Sequence, residues 1–190
     1  MSPLFHVQPT LLKPTTGRVL ISVPYCSDPL FNRTVVLLIE KDEECCVGLA
    51  LNHELNCTVS HALTGVDIDM PIFAGGPVMH DSAFALHNFE KCKKSEKILP
   101  HVYTGFEDIM LAIFEQTKIP NMDFKFFIGY SGWLPGQLED EIAKKMWVVG
   151  EGNEELVLKT PSKKVWEKAV KNLGSDYAHW LETPKNIGDN

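Results

Sequence analysis

From Gly17 onward, short apolar runs alternate with clusters of turn residues. The runs 18–23, 34–39 and 47–51 are β-branched and apolar, and each is bounded by turn formers, which predicts a three-strand meander. Pro24 closes the first strand, and Ser27, Asp28 and Pro29 form a loop whose Leu30 and Phe31 are expected to turn inward. Residues 41–44 make a charged hairpin turn. Residues 35–39 and 48–51 are nearly continuous in apolar side chains, so both faces of these strands are expected to be covered, with helices packed on the sheet. The Thr58 hydroxyl is placed to cap a short helix through 61–63.

Two further strands follow at 71–74 and 83–87, with Gly75, Gly76 and Pro77 turning the chain between them, and Tyr103 and Thr104 end another. A helical stripe of Ile109, Met110, Ile113 and Phe114 predicts a helix over 106–116. Residues 124–128 read as a core strand, 129–136 as a glycine-rich connection, and 137–145 as an acidic helix. Residues 146–149 and 156–158 suggest a terminal hairpin. Pro161 and Ser162 open a helix carrying Val165, Trp166, Ala169, Val170 and Leu173, and Gly174 stands where a glycine ends one. A last turn holds Tyr177, Trp180 and Leu181.

At 190 residues and 44% hydrophobic content, the chain is long enough for one real core. No repeat or linker divides it, so it reads as a single α+β domain over 1–190, with an irregular, proline-containing segment at 1–16. The net charge of -7 and the presence of only two arginines, Arg18 and Arg33, argue against direct nucleic-acid binding, which needs clustered cations. Lys91, Lys93, Lys94 and Lys97 form the densest basic stretch, read as a solvated loop with a phosphate contact as the alternative. The five cysteines include the adjacent pair Cys45–Cys46 and lack Cys-x-x-Cys spacing, which points to reduced thiols. No apolar run is long enough to cross a bilayer, and no leader pattern opens the chain, so the expected location is cytoplasmic.

Five segments carry a resemblance: Gly17 to Ile21, Phe31 to Val35, Gly48 to Asn52, Gly75 to Val78, and Gly129 to Glu141. In order and spacing they resemble the AlgH/YqgE family of bacterial proteins, most specifically at Gly132-Trp133-Leu134-Pro135-Gly136-Gln137-Leu138-Glu139, then Glu141 and Trp147. The resemblance implies a compact domain with a mostly antiparallel, bifurcated or partly barrel-like sheet surrounded by helices. It implies no reaction, and the label of transcriptional regulator carried by some members is an indirect one. Ser131, where a small apolar residue is common, and the Cys45–Cys46 pair depart from the family pattern.

The residues themselves offer several candidate sites. A nucleophile elbow at Ser131 fails, because Gly-x-Ser-x-Gly would need glycine at Trp133. Gly136 and Gln137 open a helix whose free amides suit an anion, although Glu139 in its first turn already answers the dipole. Glu141 with Lys145 and Asp140 with Lys144 have the spacing of surface ion pairs. Gly75, Gly76 and Pro77 could form an anion-cupping nest, or simply a tight turn. Trp133 is expected in the core. Asn52 and Arg33 flank apolar strands, where bonding to loop carbonyls competes with an anion-anchoring role for Arg33. The seven histidines show no metal-site spacing, though His80, Asp81 and His87 could converge in space. Cys26 would be a reactive thiol only with Arg33 folded against it.

Together these features point to a non-catalytic binding or regulatory protein. It would recognise a protein partner or small anion around Gly75 to Pro77 and Trp133 to Gln137, without cofactor, metal or catalytic residue. An enzyme acting on a phosphorylated or carboxylated metabolite is the alternative, and it requires Arg33, Asn52 and Glu139 to converge in one pocket. A transcriptional regulator acting indirectly or through DNA is the third reading.

Overall fold

The computed structural model describes residues 12–26, 28–62, 69–90, 94–105, 107, 110 and 123–184. Strands β1 (Arg18–Ser22), β2 (Val35–Lys41) and β3 (Cys46–Ala50) form the expected antiparallel meander. The hairpin between β2 and β3 closes on Asp42, whose Oδ1 accepts the amides of Glu44 at 2.8 Å and Cys45 at 2.7 Å. Alternate residues of β2 serve two cores. Val35 and Leu37 pack with Val165, Trp166, Ala169 and Val170 on one face, while Val36 and Leu38 pack with Leu20, Leu138 and Trp147 on the other. A strand buried on both faces has no reason to alternate, which accounts for its continuous apolar run.

Strand β4 (Glu54–Thr58) and the four-residue helix α1 (Val59–Ala62) lead to β5 (Pro71–Ala74), then β6 (Val78–His87), β7 (Glu96–Leu99), β8 (Val102–Thr104) and β9 (Phe124–Trp133). The order is β10-β1-β2-β3-β9-β6-β8-β7, with β4 joined to β5 and β5 to β9. One edge of β9 meets two strands in succession: residues 131–133 pair antiparallel with β3, and residues 126–128 pair parallel with β5. There the sheet divides, giving a mostly antiparallel, curled half-barrel within one α+β fold.

The glycine-rich stretch is therefore not a loop. Through Trp133 it is the far half of β9, and Gly75, Gly129 and Ser131 sit at the junction. Gly75 donates its amide to Ile128 O at 2.9 Å, and its carbonyl accepts Ala50 N at 2.9 Å and Ser131 Oγ at 3.2 Å. A Cβ on Gly75 would strike the Gly129 carbonyl, and one on Gly76 would strike the Tyr130–Ser131 backbone, so close approach demands glycine at both.

Helices α2 (Gln137–Ala143) and α3 (Ser162–Leu173) follow β9, with β10 (Trp147–Glu151) between them. Strand β10 pairs with β1 instead of forming a terminal hairpin. Residues 155–159 coil into one π-type helical turn, because Asn153 holds the Leu156 amide through Oδ1 at 2.9 Å and the Val157 amide through its carbonyl at 3.0 Å. A short apolar run alone does not distinguish strand from helix. Gly174 ends α3 as expected, and a 3-10 segment, Ser175–Glu182, buries Tyr177 and Trp180.

Other expectations need correction. Strands β4 and β7 are additional, and β6 starts five residues earlier than the apolar run suggests. Leu30 is 57% exposed rather than inward, while Phe31 packs edge-on against Trp147 at 5.3 Å. Thr58 Oγ1 contacts Ser60 Oγ at 2.9 Å and His61 Nδ1 at 3.2 Å rather than an amide. The helix expected over 106–116 falls outside the described residues apart from Glu107 and Met110, both helical. Lys91 and Lys93 also lie outside them, whereas Lys94 pairs with Glu107 at 2.6 Å and Lys97 lies in β7.

Candidate functional site

A cavity of about 230 Å³ opens beside the sheet junction, lined by Leu30, Phe31, Ala50, His53, Ala74, Gly76 and Pro77. Three structural elements build it. Asp28 Oδ1 caps the Leu30 amide at 2.9 Å and fixes the 3-10 turn Pro29–Phe31, which supplies Leu30 and Phe31. The ends of β3 and β5 supply Ala50 and Ala74, whose small side chains leave the space open. His53 follows β3, and its carbonyl accepts Ala74 N at 2.8 Å, tying the turn to β5. Its Nε2 lies 2.8 Å from Thr34 Oγ1. Burial pulls the His53 pKa below its ordinary 6.5, so the imidazole is neutral at pH 7.

Of the residues singled out in the sequence, Gly76 and Pro77 line this cavity. Asn52 stands behind it: Oδ1 accepts Val35 N at 3.0 Å and Nδ2 donates to Arg33 O at 2.9 Å, fixing the start of β2. The Gly75 amide is spent on Ile128 and Pro77 has no N–H, so the turn offers no pair of successive free amides for a nest. Arg33 turns to the C-terminal segment. One guanidinium nitrogen donates to Thr183 O at 2.7 Å, Thr183 Oγ1 at 2.8 Å and Pro184 O at 2.8 Å, and the group lies 4.7 Å from the Trp166 ring centre. Arg33 is thus bonded elsewhere than Cys26.

Trp133, Gly136, Gln137 and Glu139 gather at α2. The helix starts at Gly136 in a left-handed conformation (φ 79°), and the side chain of Gln137 accepts the Leu134 amide at 3.0 Å. Glu139 pairs with Lys41 at 3.2 Å. Burial raises its pKa, but its own amide and Lys41 together hold the carboxyl below its ordinary range. Glu141 points inward to Trp133 and Trp147 instead of pairing with Lys145. Asn52 meets Arg33 only through the Arg33 carbonyl, the side chains of Arg33, Asn52 and Glu139 have different partners, and the three share no described cavity.

Two other places bring polar side chains together. His87 Nε2 lies 3.0 Å from Ser95 Oγ, but Nδ1 accepts the Phe89 amide at 3.2 Å. That bond puts the ring proton on Nε2, so His87 donates to Ser95 and is not placed to deprotonate it. A more open cleft of about 480 Å³ involves Glu40, Lys41, Asp42, Glu96 and Lys97, of which Lys41 and Asp42 already have internal partners. Among the described residues, no group of three or more His, Cys, Asp or Glu side chains is placed to hold a metal. His80 has no described side chain. Cys46 is inert, its thiol pushed up to about 12 chiefly by burial. No described helix is long and apolar enough to cross a membrane.

His53, Ala50 and Ala74 are missing from the sequence-derived set. A lone histidine after a strand carries no spacing signal, and two alanines become informative only when the strand ends that hold them are seen together.

Comparison with known proteins places this geometry in a family. An AlgH-like family model matches residues 19–178. A UPF0301 protein of Bacteroides thetaiotaomicron is 31% identical over 188 residues, covering 97% of this chain and 95% of its own. One from Chlorobaculum tepidum is 32% identical over 183 residues, covering 95% and 97%. Among solved structures, protein DIP2367 of Corynebacterium diphtheriae superposes with a TM-score of 0.77 at 19% identity, covering 89% of this chain and 92% of that one. The AlgH protein of Pseudomonas aeruginosa gives 0.71 at 23% identity, covering 94% and 100%. The agreement of sequence over nearly the whole length and of fold makes this chain a member of the AlgH-like family.

Proposed function

We propose that the protein is a non-catalytic binding protein whose site is the cavity between the Pro29–Phe31 turn and the ends of β3 and β5. The observation that carries this reading is the lining: six of the seven described lining residues are apolar or glycine, with His53 the single polar side chain among them. Its size narrows what enters. Sites that bury a drug-sized ligand hold roughly 300–1,000 Å³, whereas an apolar cavity of about 150 Å³ accepts benzene. About 230 Å³ therefore suits one substituted ring or one branched side chain. Leu30, 57% exposed, extends the apolar surface outward.

The small-anion form of this reading has less support, because the Arg33 guanidinium and the Gly75 amide are already bonded internally. Regulation through direct DNA contact is likewise disfavoured: Arg18 pairs with Glu151, and Arg33 is bonded to Thr183.

A thermal-shift titration tests the reading, since a ligand of the native state raises the melting point by mass action. Toluene is expected to give a saturable rise in the wild type, and Ala74→Leu, which fills the cavity, is expected to remove it. A rise with inorganic phosphate or phosphorylated metabolites, and none with toluene, would transfer the site to the anion reading.

A further inference from the structure

Among the described residues, the large apolar side chain most open to water is Leu134, 75% exposed. A lone exposed leucine is ordinary, but this one stands on a turn fixed at both ends. Its amide donates to Gln137 Oε1 at 3.0 Å, its carbonyl accepts the Gln137 amide at 3.0 Å, and the indole of the preceding Trp133 is bonded to Glu141. The turn and the cavity belong to one face of the sheet. Trp133 pairs with Cys46 at the start of β3, and Ala50, which lines the cavity, ends the same strand, roughly 13 Å further along it. Cys46, Ala50, Trp133, Leu138 and Trp147 share one core layer, and Phe31 packs against it. Helix α2 crosses that layer from Leu134 toward the cavity end, because Trp147 just beyond the helix pairs with Ser22, level with Thr34, and its ring meets Phe31. The exposed charges of α2 run in the same direction: Asp140 stands in its first turn, Lys144 and Lys145 at its end. Among the described residues no ion pair holds these three side chains.

Resting on the preceding reading, we propose that the cavity receives Leu134 of a second copy of this chain, in a two-fold dimer to which each copy gives one leucine and one cavity. A two-fold interface is self-complementary, so it needs the projecting group and its receptor on the same face. Both are there, and too far apart for the chain to fill its own cavity. The cavity has room for one branched side chain, and a leucine on a fixed turn loses little conformational freedom on docking. Charge order agrees with the same arrangement. A two-fold axis across α2 sets the two helices antiparallel, so that Asp140 of each copy meets Lys144 and Lys145 of the other, and this attraction selects the antiparallel docking over a parallel one. Leu30, which lines the cavity and is exposed, is covered in the same step.

Sedimentation equilibrium of the whole protein over the micromolar range tests the inference, and a reversible monomer–dimer equilibrium is expected. Leu134→Ala, a change on the surface, is expected to weaken the dimer by about a hundredfold or more, because a two-fold interface loses the leucine twice. Ala74→Leu, which fills the cavity, should have the same effect. Mixed together, the two variants should form a heterodimer tighter than either homodimer, since one copy keeps the leucine and the other the cavity, a result that misfolding does not produce. Salt should weaken the wild-type dimer by screening the helix charges. Toluene should dissociate the wild-type dimer as it binds, and it should raise the melting point of Leu134→Ala. A monomer at every concentration, a dimer of unchanged affinity in Leu134→Ala, or open-ended oligomers in place of a dimer would overturn the inference. A saturable toluene shift in Leu134→Ala alongside any of these leaves the apolar-cavity reading standing, whereas no toluene shift and no dimer overturns both.

Discussion

The indole N–H of Trp147 donates to Glu141 Oε2 at 2.8 Å. The same oxygen accepts the indole N–H of Trp133 at 2.9 Å, and Oε1 accepts Gln137 Nε2 at 2.9 Å. One carboxylate thereby joins the end of β9, helix α2 and the start of β10. The two indoles meet edge to face at 6.3 Å and are nearly buried. A seven-residue helix is too short to be stable alone, so α2 depends on this anchor and on buried Leu138.

Glu141→Gln tests the anchor. An amide carries one acceptor oxygen where the carboxylate carries two: with that oxygen on the two indoles both bonds lose their charge assistance, and the amide NH2 faces the Gln137 Nε2 donor. The expected loss is about 1–3 kcal/mol, read as a lower urea midpoint with a red-shifted tryptophan emission. An unchanged midpoint would show that the three bonds contribute nothing beyond packing.

Arg33→Ala is expected to release the C-terminal segment. The guanidinium holds Thr183 and Pro184 and lies against Trp166, which stacks on Trp180 at 6.4 Å. Hydrogen bonds to a charged group contribute about 1.5–3 kcal/mol, so amide exchange over Ser175–Glu182 should accelerate about tenfold or more. Arg33→Lys should not rescue it, because an ammonium has neither the planar fork nor the stacking face. Exchange at the wild-type rate in Arg33→Ala would assign that order to Trp180 packing alone.

The meander, the two-sided burial of β2 and helix α3 were legible because each rests on a local pattern: a run, a period or a terminating glycine. The sheet junction was not. Gly129 to Trp133 reads as a loop when glycine is taken to mean a turn, but here Gly75 and Gly129 allow three strands to meet closely and Ser131 bonds across them. Residues 156–158 were ambiguous because an apolar run fits strand or helix equally, and the decisive group is the Asn153 side chain. Arg33 and Asn52 were visible as core-edge polar residues, and their partners at Thr183 and Val35 lie far away or across a turn. The cavity depends on residues from three separate elements and has no signature in any one.

Lys125 is a buried cation on β9, and its burial gives the stability of the fold a definite pH dependence. It is 6% exposed, its Nζ has no hydrogen-bond partner among the described residues, and the amine lies 5.2 Å from the Phe73 ring centre. Burial pulls its pKa from 10.5 down to about 8, with Glu54 acting weakly in the opposite direction. That difference corresponds to about 3 kcal/mol of destabilisation while the amine is charged in both states. Between about 8 and 10.5 the unfolded chain binds the proton and the folded chain does not, so wild-type stability rises with pH across that window. Lys125→Met keeps an unbranched apolar stem and removes the charge. The variant is expected to exceed the wild type by about 3 kcal/mol at pH 7, and the gap should close as pH rises through the window. Urea midpoints of both proteins at matched pH values check it. A gap that stays constant with pH would assign the gain to packing, and a destabilised variant would mean that the amine has a partner in solution.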